Sequence, residues 1–233
     1  MNIARSHAWP GDWKEAAALQ KQLSEQVGES TPATPIRLIA GADISYNRGD
    51  KRLFAAVVVL EFPSLKVVES VCHQGTAVLP YRTGFLSFRE LPSLLTCFER
   101  LESTPDAVLC DGQGKAHPRR FGLACHLGWW LDIPVFGCAK SRLIGDFRPP
   151  ALERGSTSDL VDPKNREILG KVVRTRTGVA PVFVSIGHAA NLEEAVRLTL
   201  ECSPRYRIPE PTRHAHQLAN ELRRNADRGL AGT

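Results

Sequence analysis

Asp43, Glu90 and Asp111 stand where a carboxylate is costly. Asp43 interrupts "AGADISYN" (residues 40–47), which otherwise reads as a buried strand; Glu90 lies in a helical stretch just ahead of Pro92; Asp111 follows the apolar run "DAVLC". An ionised carboxylate costs several kcal/mol to desolvate unless a cation pairs with it. Two of them about 4 Å apart repel by roughly 4 kcal/mol at an effective dielectric near 20, so a converging trio needs a proton or a divalent cation. Hard oxygen ligands select magnesium or manganese over zinc. Singly, each residue also fits a salt bridge or a cap, and Glu90 alone fits an exposed helix position.

The company Asp111 keeps raises the reading of a phosphate site. In "DGQGKAHPRR" two glycines permit close backbone approach, while Lys115, His117, Arg119 and Arg120 could surround a phosphate at a helix N-terminus. The same pattern fits a basic turn ahead of a helix. Lys140, in "GCAKSRL", follows the next apolar strand and is expected near Asp111, either holding a phosphate or water or ion-pairing with the aspartate. Tyr81, between Pro80 and Arg82 in "LPYRTGF", has the chemistry of a side chain that wedges between bases, although most loop tyrosines pack on their own domain. His7, His73, His126 and His188 are assigned structural or surface roles.

The elements that must position these groups follow from periodicity. Asp12 caps a helix over about 12–27, with Glu15 three residues on and Gly28 as a stop. "ESTPATP" is a linker. Ile36, Leu38, Ala40, Ala42 and Ile44 then alternate, so Asp43 points away from their face. "RLFAAVVVLEF" and "LKVVESVCHQG" complete an antiparallel meander of three strands. "GFLSFRELPSLLTCFERL" is helical, with a kink or a fresh start expected at Pro92. "DAVLCDG" and "IPVFGCAK" are parallel strands joined by a helix for which Pro118 suits the first position. A strand pair over "GKVVRTRTGVAPVFVSIGH", a helix capped by Asn191 and a basic terminal helix complete the pattern. It predicts one α/β domain over residues 1–233, with a core of about 36–227: a mixed sheet, meander first and parallel strands after, flanked by helices.

Composition narrows the setting. Lys and Arg number 30 against 25 acidic residues, a net charge of +5 that fits both a nucleic-acid partner and an ordinary soluble surface. The six cysteines show no CxxC pairing and no apolar run is long enough for a membrane span, so reduced thiols, a cytoplasmic location and no membrane partner are expected. A monomer is the default at this size.

"AGADISY", "LPYRTGFLSFRE", "CDGQGKAHPRRFGLACHLG", "GCAKSRL" and "PEPTRHAHQLA" resemble, in order and spacing, the motifs of the endonuclease V family, from about Trp13 to the terminal helix. The resemblance implies an RNase H-like core that hydrolyses the second phosphodiester bond 3′ to deoxyinosine, leaving a 3′ hydroxyl and a 5′ phosphate. Magnesium is the implied cofactor, with manganese able to substitute. Asp43, Glu90 and Asp111 would hold the metal, His117 and Lys140 would assist at the phosphate or water, and His216 would stand near the metal. Pro80, Tyr81, Arg82 and Thr83 would form the strand-separating wedge, with Gly84, Leu86, Gly112 and Leu123 enclosing the flipped base. Bacterial members often read Pro-Tyr-Ile-Pro-Gly at the wedge, where this chain has Arg82 and Thr83. The alternatives are an endoribonuclease acting on inosine in RNA, a general nuclease of the same architecture, and a lesion-binding module without catalysis.

Overall fold

The sheet is built where apolar residues alternate, and its register decides which carboxylates meet. The structure, a computed structural model, describes residues 1–30 and 35–229. Most of the expected linker, residues 31–34, lies outside them. The elements in chain order are α1 (Trp13–Ser24), β1 (Leu38–Ser45), β2 (Arg52–Glu61), β3 (Val67–Thr76), α2 (Leu86–Arg100), β4 (Ala107–Cys110), α3 (Leu123–Leu131), β5 (Val135–Ala139), β6 (Thr157–Val161), β7 (Ile168–Val173), β8 (Val182–His188), α4 (Leu192–Glu201) and α5 (Glu210–Asp227). The strands form one mixed sheet in the order β3-β2-β1-β4-β5-β8-β7-β6. β1 to β3 are the antiparallel meander, and β4 and β5 run parallel to β1. This is the α/β architecture with an RNase H-like sheet that the sequence predicts.

Period-two alternation sends β1 to both layers. Ala40 and Ala42, with Leu38 and Ile44 at their margin, pack with Leu91, Leu94 and Phe98 of α2. Ile39 packs on the opposite face with Ala215 of α5. Ile36 precedes the strand and joins that second cluster rather than the first, contrary to the alternation expected for it. Gly41 meets α5 so closely that a Cβ there would lie 2.0 Å from the carbonyl carbon and oxygen of Pro211. Asp43, on the same face, therefore comes under α5.

Three local expectations change. α2 runs through Pro92 as one helix, because Leu91, Leu94, Leu95 and Phe98 bury its inner face on both sides of the proline. α3 begins at Leu123, not Pro118; Arg120, at φ 55°, reverses the chain first, and Gly122 serves as N-cap. β6 carried no sequence signal: "TSDLV" is short and polar, as suits a sheet edge.

Candidate active site

Parallel pairing of Ala42 with Cys110 brings the next residues, Asp43 and Asp111, side by side at the ends of adjacent strands. The Asp111 amide donates to the Ala42 carbonyl at 3.1 Å, fixing that level. From α5, His216 reaches back so that Nδ1 lies 2.6 Å from Asp43 Oδ2. One ligand atom from each of Asp43, Asp111 and His216 falls within 4.8 Å of the others. Glu90 lines the same cavity from α2 but stays outside that three-atom group. The structure thus groups His216, rather than Glu90, with the two aspartates.

The electrostatics are those of crowded, buried carboxylates. Glu90 is only 6% exposed, and burial, reinforced by Asp43 and Asp111, raises its pKa well above the usual carboxylate range. Burial and the Asp43 charge also raise Asp111, against the opposing pull of Lys140, which ion-pairs with it. The ammonium that sequence spacing placed here therefore arrives, as a partner of Asp111. Two aspartates and an imidazole whose ligand atoms lie this close together fit a divalent cation.

Beside the acids lies a cavity of about 310 Å³. It is lined by Tyr81, Thr83 and Gly84 from the loop before α2, by Leu86 at the start of that helix, and by Gly112 and Leu123. Leu86, Asp111 and Lys140 border both cavities. Gln113 Oε1 is buried at the wall with no hydrogen-bond partner, while its Nε2 donates to the Ser141 carbonyl. A planar polar ring in this cavity would sit one step from the acids.

The sequence profile of the Endonuclease V family matches residues 18–217. The chain belongs to the endonuclease V family. It is 49% identical over 222 residues to Endonuclease V of Dehalococcoides mccartyi (strain ATCC BAA-2100 / JCM 16839 / KCTC 5957 / BAV1), covering 95% of this chain and 99% of that one. The crystal structure of Endonuclease V from Streptomyces avermitilis superposes with a TM-score of 0.89 at 37% identity, over 97% of this chain and 100% of that one. Ciona intestinalis Endonuclease V, solved with a 24mer DNA containing an inosine followed by a ribo-adenosine, gives 0.81 at 26%, over 91% and 98%. Like its family, the protein is a nuclease.

The basic residues after Asp111 do not gather around one anion in this chain. Lys115 pairs with Glu29, and Arg120 with Asp162 and Glu167. Arg119 donates to Gln20 Oε1 at 2.5 Å and to the Gly84 carbonyl at 2.6 Å. The phosphate cradle expected from "KAHPRR" is a set of struts. Arg82 stays exposed, its guanidinium 5.5 Å from the Trp13 ring and 5.4 Å from that of Phe85.

His117 belongs to the same bracing. Its Nε2 donates to the Gly84 carbonyl at 3.1 Å, and its Nδ1 accepts from the Arg119 amide at 3.2 Å, which assigns the Nε2–H tautomer. Gly84, at φ 80°, ends the Tyr81 loop, so the imidazole holds that turn. Burial, helped by Arg119, lowers the His117 pKa to about 4 from 6.5. The folded state then binds fewer protons than the unfolded one below pH 6.5, and stability falls as the pH drops from 6.5 towards 4. The loss expected from His117 by pH 5 is about 2 kcal/mol. Urea unfolding at pH 7 and pH 5 checks this: His117→Gln should shrink the difference between the two by about that amount, and an unchanged difference rejects a neutral buried His117.

Proposed function

We propose that the protein is a DNA repair endonuclease that hydrolyses the second phosphodiester bond 3′ to deoxyinosine, leaving a 3′ hydroxyl and a 5′ phosphate. The observation that carries this reading is the convergence of Asp43, Asp111 and His216 within 4.8 Å beside a cavity walled by the Tyr81 loop. Membership of a nuclease family and the inosine-containing DNA of the Ciona complex support it. Magnesium, replaceable by manganese, would be held by Asp43 and Asp111 with His216 at the margin. Such a cation polarises a phosphoryl oxygen and lowers the pKa of water from 15.7.

The chain's own groups do the remaining work. Glu90, held towards its protonated form by burial, can donate to or accept from a water at the edge of the acidic cavity. Lys140 stands beside Asp111, where its ammonium can shift to a phosphate oxygen. Pro80, Tyr81, Arg82 and Thr83 form the wedge, with Tyr81 59% exposed at its tip. Gly84, Leu86, Gly112 and Leu123 enclose the extruded base. Hypoxanthine carries a hydrogen on N1 where adenine carries a lone pair, and Gln113 Oε1 is an unpaired acceptor at that wall. His117 acts through the Gly84 turn rather than at the phosphate. A cytoplasmic monomer is proposed; no helix among the described residues is long and apolar enough to cross a membrane.

Cleavage of end-labelled duplexes with and without one deoxyinosine, in magnesium and in chelator, tests the reading. A single magnesium-dependent cut one nucleotide beyond the lesion is expected. Equal cutting of the undamaged control would make the protein a general nuclease, and binding without cutting a silent lesion binder. The ribo-adenosine in the Ciona complex gives the endoribonuclease reading its footing, so a matched inosine-containing RNA belongs beside the DNA.

A further inference from the structure

A second, larger cavity of about 880 Å³ also borders Tyr81. One bank is the turn between β1 and β2, with Arg48 and Lys51; the other is the segment 77–81 leading to the wedge. The Ala77 amide ties the banks together by donating to the Lys51 carbonyl at 2.7 Å. Tyr81 borders both this groove and the base cavity, and Tyr46 borders both this groove and the acidic cavity. The segment around Tyr81 therefore walls the groove as well as the base pocket.

Its charge is uncompensated. Arg48 and Lys51 are exposed, and neither forms an ion pair among the described residues; Asp50, which also lines the groove, is taken by Arg52. Arg89, 6% exposed, braces the groove by donating to the Leu79 and Asp50 carbonyls, at 3.1 and 2.8 Å, and lies 4.9 Å over the Tyr46 ring. No carboxylate pairs with it among the described residues, and its Nε is buried without a partner. Two exposed cations beside two tyrosine rings, over a buried arginine brace, match a phosphate backbone carrying unstacked bases.

We propose that this groove holds the uncut strand of a duplex, with the base left opposite the lesion against Tyr81 and Tyr46 and its phosphates on Arg48 and Lys51. The inference rests on the reading of Tyr81 as a wedge: a side chain inserted between paired bases has one face for each strand, and the base cavity occupies only one of them. The acidic cavity needs no second strand, so the groove should matter only for duplex DNA.

The test is binding, in chelator, of a fluorescent inosine-containing strand alone and annealed to its complement, by the wild-type protein and by Arg48→Ala/Lys51→Ala. Both residues are exposed, so the variant should fold. Duplex affinity is expected to fall by about tenfold, with a salt dependence shallower by about 2 in log–log slope, while single-strand affinity stays within about twofold. Equal weakening on both substrates would assign the groove to the cut strand and overturn the proposal, and no weakening on either would overturn it too. An undamaged duplex run in parallel separates the two failures: loss of inosine preference in the wild type counts against the proposed function, whatever the variant does.

Discussion

Asp43→Asn or Asp111→Asn is expected to lower the cleavage rate by about a thousandfold or more, with DNA affinity in chelator nearly unchanged. Asparagine keeps the shape and removes one charged ligand oxygen; the several kcal/mol of transition-state stabilisation that a bound cation supplies corresponds to a rate loss of that order. Affinity is spared because it rests mainly on contacts to phosphate. The same substitutions should not weaken the metal-free fold. Burial first, and the neighbouring carboxylates after it, push Asp111 and Glu90 away from ionisation, so removing one of the charges relieves repulsion. Lys140 loses its partner, a small cost for a half-exposed ammonium. Two measurements check the prediction: single-turnover cleavage, and thermal unfolding with and without magnesium. At ten times its dissociation constant a cation should stabilise the wild type by about 1.4 kcal/mol, and that gain should vanish in either variant. Magnesium-dependent cutting at wild-type rate in either one would remove the aspartates from the site.

Gly41→Ala should destabilise the protein by about 3 kcal/mol, although alanine suits a strand better than glycine. The added methyl would meet the Pro211 carbonyl at 2.0 Å and the Thr212 amide at 2.5 Å, all backbone atoms that no rotamer change can clear. α5 must then lift from β1, and His216 travels with it, away from Asp43. Cleavage should fall together with stability. Urea unfolding measures the first effect and single-turnover cleavage under folded conditions the second. Gly28→Ala is the reference, since a Cβ there meets nothing within 4 Å and should change stability by less than about 0.5 kcal/mol. A Gly41→Ala protein as stable as the reference would mean that α5 is not held by this contact.

The sequence reads Gly28 as a helix stop and Gly41 as one residue of a strand; that α5 lies on Gly41 is seen only in the fold. The same holds for the basic residues after Asp111. Their local density suggests one anion site, yet Lys115 finds Glu29, 86 residues away, and Arg120 finds Asp162 and Glu167, 42 and 47 residues away. Each charge was satisfied by a partner that no local window contains. The start of α3 was misplaced for a related reason: Pro118 suits a first helical turn by its fixed φ, but the left-handed Arg120 reverses the chain before the helix can begin. The groove beside Tyr46 had no signal at all, because Arg48 and Lys51 read as an ordinary solvated turn.

What the sequence by itself determined is what depends on near neighbours and on residue order. Alternation over 38–44 turned Asp43 out of the α2 face, apolar runs separated by turn residues defined the meander and the parallel pair, and the ordered motifs carried the family. What only the tertiary structure decided is distance between segments far apart in the chain. Asp43 and Asp111 meet through strand register, and His216 reaches Asp43 across 173 residues because Gly41 lets a helix lie on the strand. Periodicity is a short-range property of the backbone and can be read locally; proximity between distant segments is settled by packing, which no single segment contains.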